Sequence, residues 1–364
     1  MHNLYFLGSS RCFHTIDWYE SAQKHYGSSI PFITDMVDGE GFSCLVKERN
    51  AIKKLIIVDR FLMRHCGPTG HKIRNVVKLL LSPIQAILVW KLIGRSTKNL
   101  TFAHSTYYAF IAGLAGINYI STPQGSEILE RLEKSRSYRF IARVAHGRAK
   151  LVTVDSSAMR LKLKEILNID ATVVQNGVDV SAILAMVAKR DKKLENHSNK
   201  ILSIRGITEL YQILEMIKAR DGSSDGSGIN FCCPFFDYDY KKIAVLAMDK
   251  TKDQDLGKLD RETFYNLLYE SAIVISVPLS DSSPRSVYEA IFFGCVVIVS
   301  DNQFIYDLPE TMRKRLVITN CDEGWFDSCL KQARKKVNEQ FQPTQQDLQL
   351  FDQSLSVPRV LKEL

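Results

Sequence analysis

The chain has 364 residues, 45% hydrophobic and 24% charged, a composition of ordinary globular proteins that excludes a disordered or fibrous chain and leaves room for about two domains. Its 8 cysteines (Cys12, Cys44, Cys66, Cys232, Cys233, Cys295, Cys321 and Cys329) are scattered and form no C-x-x-C pair. With no signal peptide ahead of them, a disulfide framework or zinc site is not expected, and a reducing cytosol is the expected compartment.

The start, MHNLYFLGSS, reads as a first strand over 4–7 ending at Gly8. Apolar runs at 55–58, 100–103, 118–121, 151–154 and 171–174 read as further short buried strands. Between several of them lie helical patterns, at 72–92, 107–115, 137–148 and 156–167. This alternation predicts a parallel, doubly wound sheet. Residues 181–200 then turn polar and charged (ending AKRDKKLENHSNK) and mark a domain boundary. The rhythm resumes with strands at 201–204, 229–232, 272–277 and 296–300 and helices near 208–219, 239–248, 261–269 and 285–293. The expected division is a first domain over 1–183, a linker over 184–200, a second domain over 201–340 and a C-terminal segment, 341–364, that packs back toward the first domain.

Charge divides unevenly: residues 1–180 hold 24 Lys and Arg against 14 Asp and Glu, and the remainder 24 against 26. The net +8 therefore comes from the first half. No acidic residue lies between Asp59 and Glu127, whereas Arg60, Arg64, Lys72, Arg74, Lys78, Lys91, Arg95 and Lys98 fall in that gap. Beside the apolar run 79–93 these cations suggest a surface for an anionic membrane leaflet or a pyrophosphate-linked acceptor. A buried helix pair with solvated basic edges is the alternative. The run is too short and interrupted, by Pro83 and Lys91, to span a bilayer. No nucleic-acid-binding motif accompanies the charge, and nucleic acid is not an expected partner.

The stretch most informative about function is 274–294, VISVPLSDSSPRSVYEAIFFG. A buried strand leads into a Ser-Ser-Pro turn, and Val287, Ala290, Ile291 and Gly294 then repeat at helical spacing. Pro284 suits the first turn, where its missing N–H costs nothing. In an open α/β sheet such a turn lies at the carboxyl edge and aims backbone N–H groups and the helix dipole at an anion. Asp281 stands at the turn and Glu289 lies in the helix, with seven residues between them. A helix cap and a solvated helix residue are the plainer reading of the pair.

Asp281, Pro284, Ser286, Glu289-Ala290, Gly294, the Val-Val-Ile run and Ser300-Asp301 together resemble the donor-site signature of retaining, nucleotide-sugar-dependent glycosyltransferases of family 4 (glycosyl transferases group 1). That resemblance implies the GT-B fold, two doubly wound Rossmann-like domains facing a central cleft. It is closest in kind to the bacterial surface-polysaccharide type. It places Asp281, where Glu is more usual, and the backbone of Ser282, Ser283 and Pro284 toward the sugar ring, Ser286 toward the distal phosphate and Glu289 toward the ribose. In ILSIRGITELYQ, Arg205 and Gly206 follow a strand where the family supplies a cation to the donor diphosphate. Glu209 and Leu210 occupy the place of a second cation; Lys258 is a substitute, or simply a solvated loop lysine.

In the first domain, ISTPQGSEI (120–128), LVTVDSS (151–157) and VVQNGVD (173–179) resemble the family's strand ends in the same order. The resemblance places Gln124 near a sugar hydroxyl, Gly8 at the donor, and Ser9 and His14 on the acceptor side. His104, in TFAHSTYY, is the histidine best placed at a strand end, although a lone histidine is more often structural.

Asp237 and Asp239 in FFDYDY imitate a metal-binding Asp-x-Asp, but begin a helix and are expected to cap it. No metal and no cofactor is expected; the nucleotide-diphosphate sugar is a co-substrate. The expected activity moves a hexosyl or related unit to a saccharide or polyprenyl-pyrophosphate-linked acceptor. It belongs to assembly of lipopolysaccharide, O-antigen or capsule, in the cytoplasm or at the inner face of its membrane. A sugar-nucleotide epimerase of similar fold and a catalytically silent partner subunit stay open as alternatives. A nicotinamide dehydrogenase is disfavoured, because no G-x-G-x-x-G follows the first strand.

Overall fold

A computed structural model describes residues 2–26, 30–36, 45, 51–57, 70–189 and 198–364. Two compact units divide the chain: Met1–Asn176 with Gln353–Leu364, and Gly177–Asp352.

Among the described residues the first unit is built on seven parallel strands: β1 (Asn3–Leu7), β2 (Phe32–Thr34), β3 (Ile52–Lys54), β4 (Asn99–His104), β5 (Tyr119–Thr122), β6 (Leu151–Val154) and β7 (Thr172–Val173). Their spatial order is β3-β2-β1-β4-β5-β6-β7. Helices α1 (Phe13–Tyr26), α2 (Gly70–Ile93), α3 (Thr106–Ala115), α4 (Arg136–Gly147) and α5 (Ser157–Leu167) connect them. Alternate strand residues enter different cores. Leu4, Phe6, Phe32, Leu100 and Phe102 join Trp18 and Tyr19 of α1, whereas Leu7, Ile33 and Ala103 join α2 and α3. Helices on both faces are what a wholly parallel sheet requires.

One strand departs from expectation, and one expected helix needs a local account. The edge strand β3 lies at Ile52–Lys54, before the apolar run read as a strand over 55–58, whose Val58 lies outside the described residues. Beyond Leu55 the backbone is satisfied by a side chain: Ile56 N–H donates to Gln85 Oε1 at 3.1 Å, and Gln85 Nε2 donates to the Ile56 carbonyl at 2.9 Å. Helix α2 continues past Pro83, which cannot bond the Leu79 carbonyl. The Ser82 hydroxyl donates to that carbonyl at 2.7 Å in its place.

The second unit holds β8 (Ser198–Ser203), β9 (Ile229–Cys232), β10 (Gln254–Gly257), β11 (Ser271–Ser276), β12 (Val296–Ser300) and β13 (Leu316–Thr319), all parallel in the order β10-β9-β8-β11-β12-β13. Its longer helices are α6 (Val180–Lys189), α7 (Ile213–Asp221), α8 (Tyr238–Ala247), α9 (Arg261–Glu270), α10 (Arg285–Phe292), α11 (Trp325–Lys336) and α12 (Gln345–Phe351). Val287, Ala290 and Ile291 of α10 are fully buried with Leu202, Val274, Val297 and Val299. The other face joins Ile201, Ile273, Ile275 and Ile298 to α7 and α11. The helix expected over 208–219 is broken. A short turn, Glu209–Tyr211, ends at Gln212 in the left-handed conformation (φ 51°) before α7 begins. Gln212 Nε2 donates to the Val277 carbonyl at 2.8 Å and pins that break.

The division falls after Asn176 and not at 183, because Val178, Val180 and Ile183 are buried in the second unit's core. Helix α6 thus occupies the start of the stretch read as linker, and 190–197 lie outside the described residues. The C-terminal segment divides as well. Phe351 of α12 is buried in the second unit, whereas α13 (Ser356–Lys362) buries Val357 and Val360 in the first.

Candidate functional site

Each sheet has one place where strand order reverses, between β1 and β4 in the first unit and between β8 and β11 in the second. Connections leave in opposite directions there, and the crevice beyond the carboxyl ends is where open α/β sheets bind ligands. Gly8 and His104 end the first pair; Arg205 and Asp281 follow the second.

In the second unit the residues combine into one cluster. An Arg205 Nη2 donates to Asp281 Oδ2 in an ion pair, and Nη1 donates to Ser286 Oγ at 3.2 Å. The guanidinium lies 4.5 Å from the centroid of the Tyr211 ring, a cation–π contact. Arg205 and Asp281 side chains retain only 12% and 13% of their exposure. Removing either partner would strand a largely desolvated charge. Asn302 orients the loop: its Oδ1 accepts from Asp281 N–H at 3.0 Å, and its Nδ2 donates to the Pro278 carbonyl at 3.1 Å. Pro284 is the N-cap of α10, so Ser286 lies in the first turn of that helix, where Val287 N–H donates to the Pro284 carbonyl at 2.9 Å. Ser283 and Pro284 are buried and Ser282 half-buried beside it.

Glu289 is held by a tyrosine. It is buried and accepts from the Tyr265 hydroxyl at 3.0 Å. Burial foremost, and then the Glu289 charge, raise the Tyr265 phenol well above its ordinary range, so it stays a donor. Gly206 sits where a Cβ would come within 2.5 Å of the Phe235 ring. A side chain at 206 would have to push that half-exposed ring aside. Lys258 is exposed after the edge strand β10, with β9 standing between it and β8. Asp237 is the N-cap of α8, accepting from Asp239 and Tyr240 N–H at 3.1 and 3.0 Å, while Asp239 is exposed. Among the described residues no cluster of His, Cys, Asp or Glu has metal-binding form.

The first unit's edge is built differently. A Cβ on Gly8 would meet Thr15 Cγ2 at 2.6 Å and His104 Cβ at 3.4 Å, so the β1 exit is closed tightly against α1. His104 is buried, its Nδ1 2.8 Å from Thr15 Oγ1, and burial lowers its pKa to about 4. It is therefore a neutral hydrogen-bonding group near pH 7. Ser9 donates to Met36 Sδ at 3.3 Å, and His14 is half-buried in the first turn of α1. Gln124 Nε2 donates to Cys12 Sγ at 3.2 Å. The Glu127 carboxylate accepts from Gln124 N–H at 3.0 Å, Thr106 N–H at 2.9 Å and the Thr106 hydroxyl at 3.0 Å. It thereby ties the β5 exit loop to the start of α3.

No family model matches the sequence, and no curated protein matches it. Solved structures do. Anabaena HepE in complex with UDP superposes with TM-score 0.72 at 14% identity, over 100% of both chains. A UDP-forming α,α-trehalose-phosphate synthase from Burkholderia xenovorans gives 0.71 at 12%, over 100% of this chain and 98% of the other. Sucrose-phosphate synthase from Thermosynechococcus elongatus gives 0.68 at 10%, over 100% and 99%. The chain has the GT-B fold.

Within that GT-B frame, four contributors to the two edges go beyond the residues marked from sequence: Tyr211, Tyr265, Asn302 and Glu127. Glu127 has a readable signal, an acidic side chain three residues after Gln124 at a helix start. Asn302 directly follows the Ser300-Asp301 pair. Tyr211 and Tyr265 carry no local mark, since their partners lie 6 and 24 positions away in sequence.

Proposed function

We propose that the protein is a retaining glycosyltransferase that moves a hexosyl or related unit from a nucleotide-diphosphate sugar to a saccharide or lipid-linked saccharide acceptor. The observation that carries this reading is the Arg205–Asp281–Ser286 cluster at the switch point of the second sheet. A guanidinium has five N–H donors and keeps its charge throughout, so Arg205 has donors beyond those engaged by Asp281 and Ser286. Cleavage of the anomeric C–O bond leaves negative charge on the departing diphosphate. Arg205 and the first turn of α10 offer preformed stabilisation where that charge develops. Asp281 and the Ser282–Pro284 backbone face the sugar, Gly206 lets the chain approach, and Glu289, held by Tyr265, accepts from the ribose. Transfer proceeds by front-face attack, with the leaving phosphate taking the acceptor proton. UDP is the first nucleotide to test, because HepE was solved with UDP and with UDP-glucose. Neutral Gln124 and His104 serve as hydrogen-bonding groups, and Ser9 and His14 mark the acceptor side. The setting is the cytoplasmic stage of surface-polysaccharide assembly.

No catalytic metal is part of this proposal, since Asp237 is engaged in capping α8. The test is a panel of nucleotide sugars with product analysis by NMR. Expected are transfer with retained anomeric configuration, activity in excess EDTA, and loss of turnover in both Arg205→Ala and Glu289→Ala. Unchanged turnover in both variants would sink the assignment. Conversion of donor alone to an isomeric nucleotide sugar would favour an epimerase.

A further inference from the structure

Helix α2 presents two unlike faces. Its inner face is committed to the first unit: Ala86, Val89 and Ile93 are buried in the core, Lys78 is ion-paired with Asp35, and Gln85 brackets the Ile56 backbone. Its outer face is apolar and exposed. Ile73, Val76, Leu80, Ile84 and Ile87 recur at spacings of three and four, which is one stripe of an α-helix, and Leu79, Trp90 and Leu92 widen it. Leu80 is 73% exposed and Val76 58%. Between Asn75 and Trp90 the only charged side chain is the buried Lys78, so nothing ionic interrupts the exposed stripe. It extends for roughly 28 Å at 1.5 Å per residue. Contiguous apolar surface of this kind on a folded protein marks an interaction site.

The flanking chemistry selects the partner. Lys91, Arg95 and Lys98 are exposed just beyond the stripe, and Arg95 lies 5.6 Å over the Trp90 ring. The chain from 60 to 126 contains no Asp or Glu. A second copy of this face would thus bring apolar surface but no opposite charge. A bilayer with anionic headgroups brings both. By length and composition Asn75–Ile93 passes for a membrane span, but the ion pair and core contacts of its inner face hold it against the domain. A helix with one face so committed can enter a membrane only sideways, in the interfacial plane, with tryptophan and basic groups at headgroup level.

We propose that the outer face of α2 is a docking surface for an anionic lipid bilayer, in which the helix lies flat. This goes beyond the sugar-transfer reading and is tested apart from it. The full chain is mixed with vesicles of phosphatidylcholine alone or with an equal amount of phosphatidylglycerol, and the bound fraction is measured by sedimentation. Expected is at least about tenfold tighter partition onto the anionic vesicles, given three exposed cations near the stripe. The double variant L80E/I84E should lower that partition by at least about tenfold while keeping the wild-type melting temperature, because both side chains are exposed. Trp90 supplies a second readout, since the other two tryptophans, Trp18 and Trp325, are buried. Vesicles brominated in their acyl chains should quench its emission, and Trp90→Phe should abolish the quenching. Equal binding by wild type and double variant, or binding without quenching, would overturn the proposal. So would a vesicle-indifferent dimer that L80E/I84E splits, which would assign the face to a second copy. Turnover of nucleotide sugar with a water-soluble acceptor should be unchanged in the double variant, which separates failure of docking from failure of catalysis.

Discussion

The two sheets reverse strand order at equivalent places, yet the side chains there follow opposite chemistry. After β8 and β11 stands an ion pair, Arg205 with Asp281, braced by Ser286 and Tyr211. After β1 and β4 stand Gly8, Thr15 and a histidine kept neutral by burial. The topology supplies a crevice in both cases, and the residues decide what each can hold. A fixed cation suits a diphosphate, whereas neutral donors and acceptors suit hydroxyl groups.

The strongest way to break this contrast is to remove the cation. Arg205→Ala should reduce nucleotide-sugar turnover by roughly 10²–10³-fold, the scale of losing a preorganised oxyanion donor. Arg205→Lys should recover part of it, as a point charge lacks the planar fork. A loss below threefold in steady-state assays would show that the second edge does not act through its charge.

Acid should expose the first edge next. His104 and His146 have pKa values lowered by burial to about 4 and about 3, against 6.5 when unfolded. As pH falls through 6.5 the unfolded chain takes up protons that the folded chain refuses until near 4, so stability is full above that window and declines within it. Each histidine should cost about 2 kcal/mol by pH 5. Urea midpoints measured at neutral and acid pH would show this, and His104→Asn should remove about half the slope.

Glycine substitution separates the edges by packing. Gly8→Ala should destabilise by about 1–3 kcal/mol, because its Cβ meets the buried Thr15 methyl, and Thr15→Ser should restore part of that. Gly206→Ala should cost less in a thermal melt, since the half-exposed Phe235 ring can turn aside. Smallest is Tyr265→Phe, which removes the hydroxyl donor to Glu289. It should raise KM for the nucleotide sugar about threefold to tenfold with little change in kcat.

Strands with dense apolar runs were readable without a structure. Those at 151–154, 229–232 and 296–300 coincide with β6, β9 and β12. The strands that escaped, β2, β10 and β13, span three or four residues each, and β10 (QDLG) has almost no apolar content because it lies at a sheet edge. The break at Gln212 also had no local mark, since it rests on a bond to Val277. In the site, the loop order Asp281, Pro284, Ser286 and Glu289 was legible because all four lie within one strand-turn-helix unit. The place of Lys258, after an edge strand two positions from β8, was not legible, because sequence order does not say which strand lies at the edge.

By itself the sequence determined two doubly wound α/β units and the helix-start loop at 281–289, since both follow from local periodicity and turn chemistry. Tertiary structure alone decided that Arg205 faces Asp281, 76 positions away, that Glu289 accepts from Tyr265, that Val178 to Ile183 belong to the second core, and that the apolar stripe of α2 is exposed. A periodic pattern fixes which face of a helix is apolar, but whether a neighbour covers that face depends on packing between segments far apart in the chain.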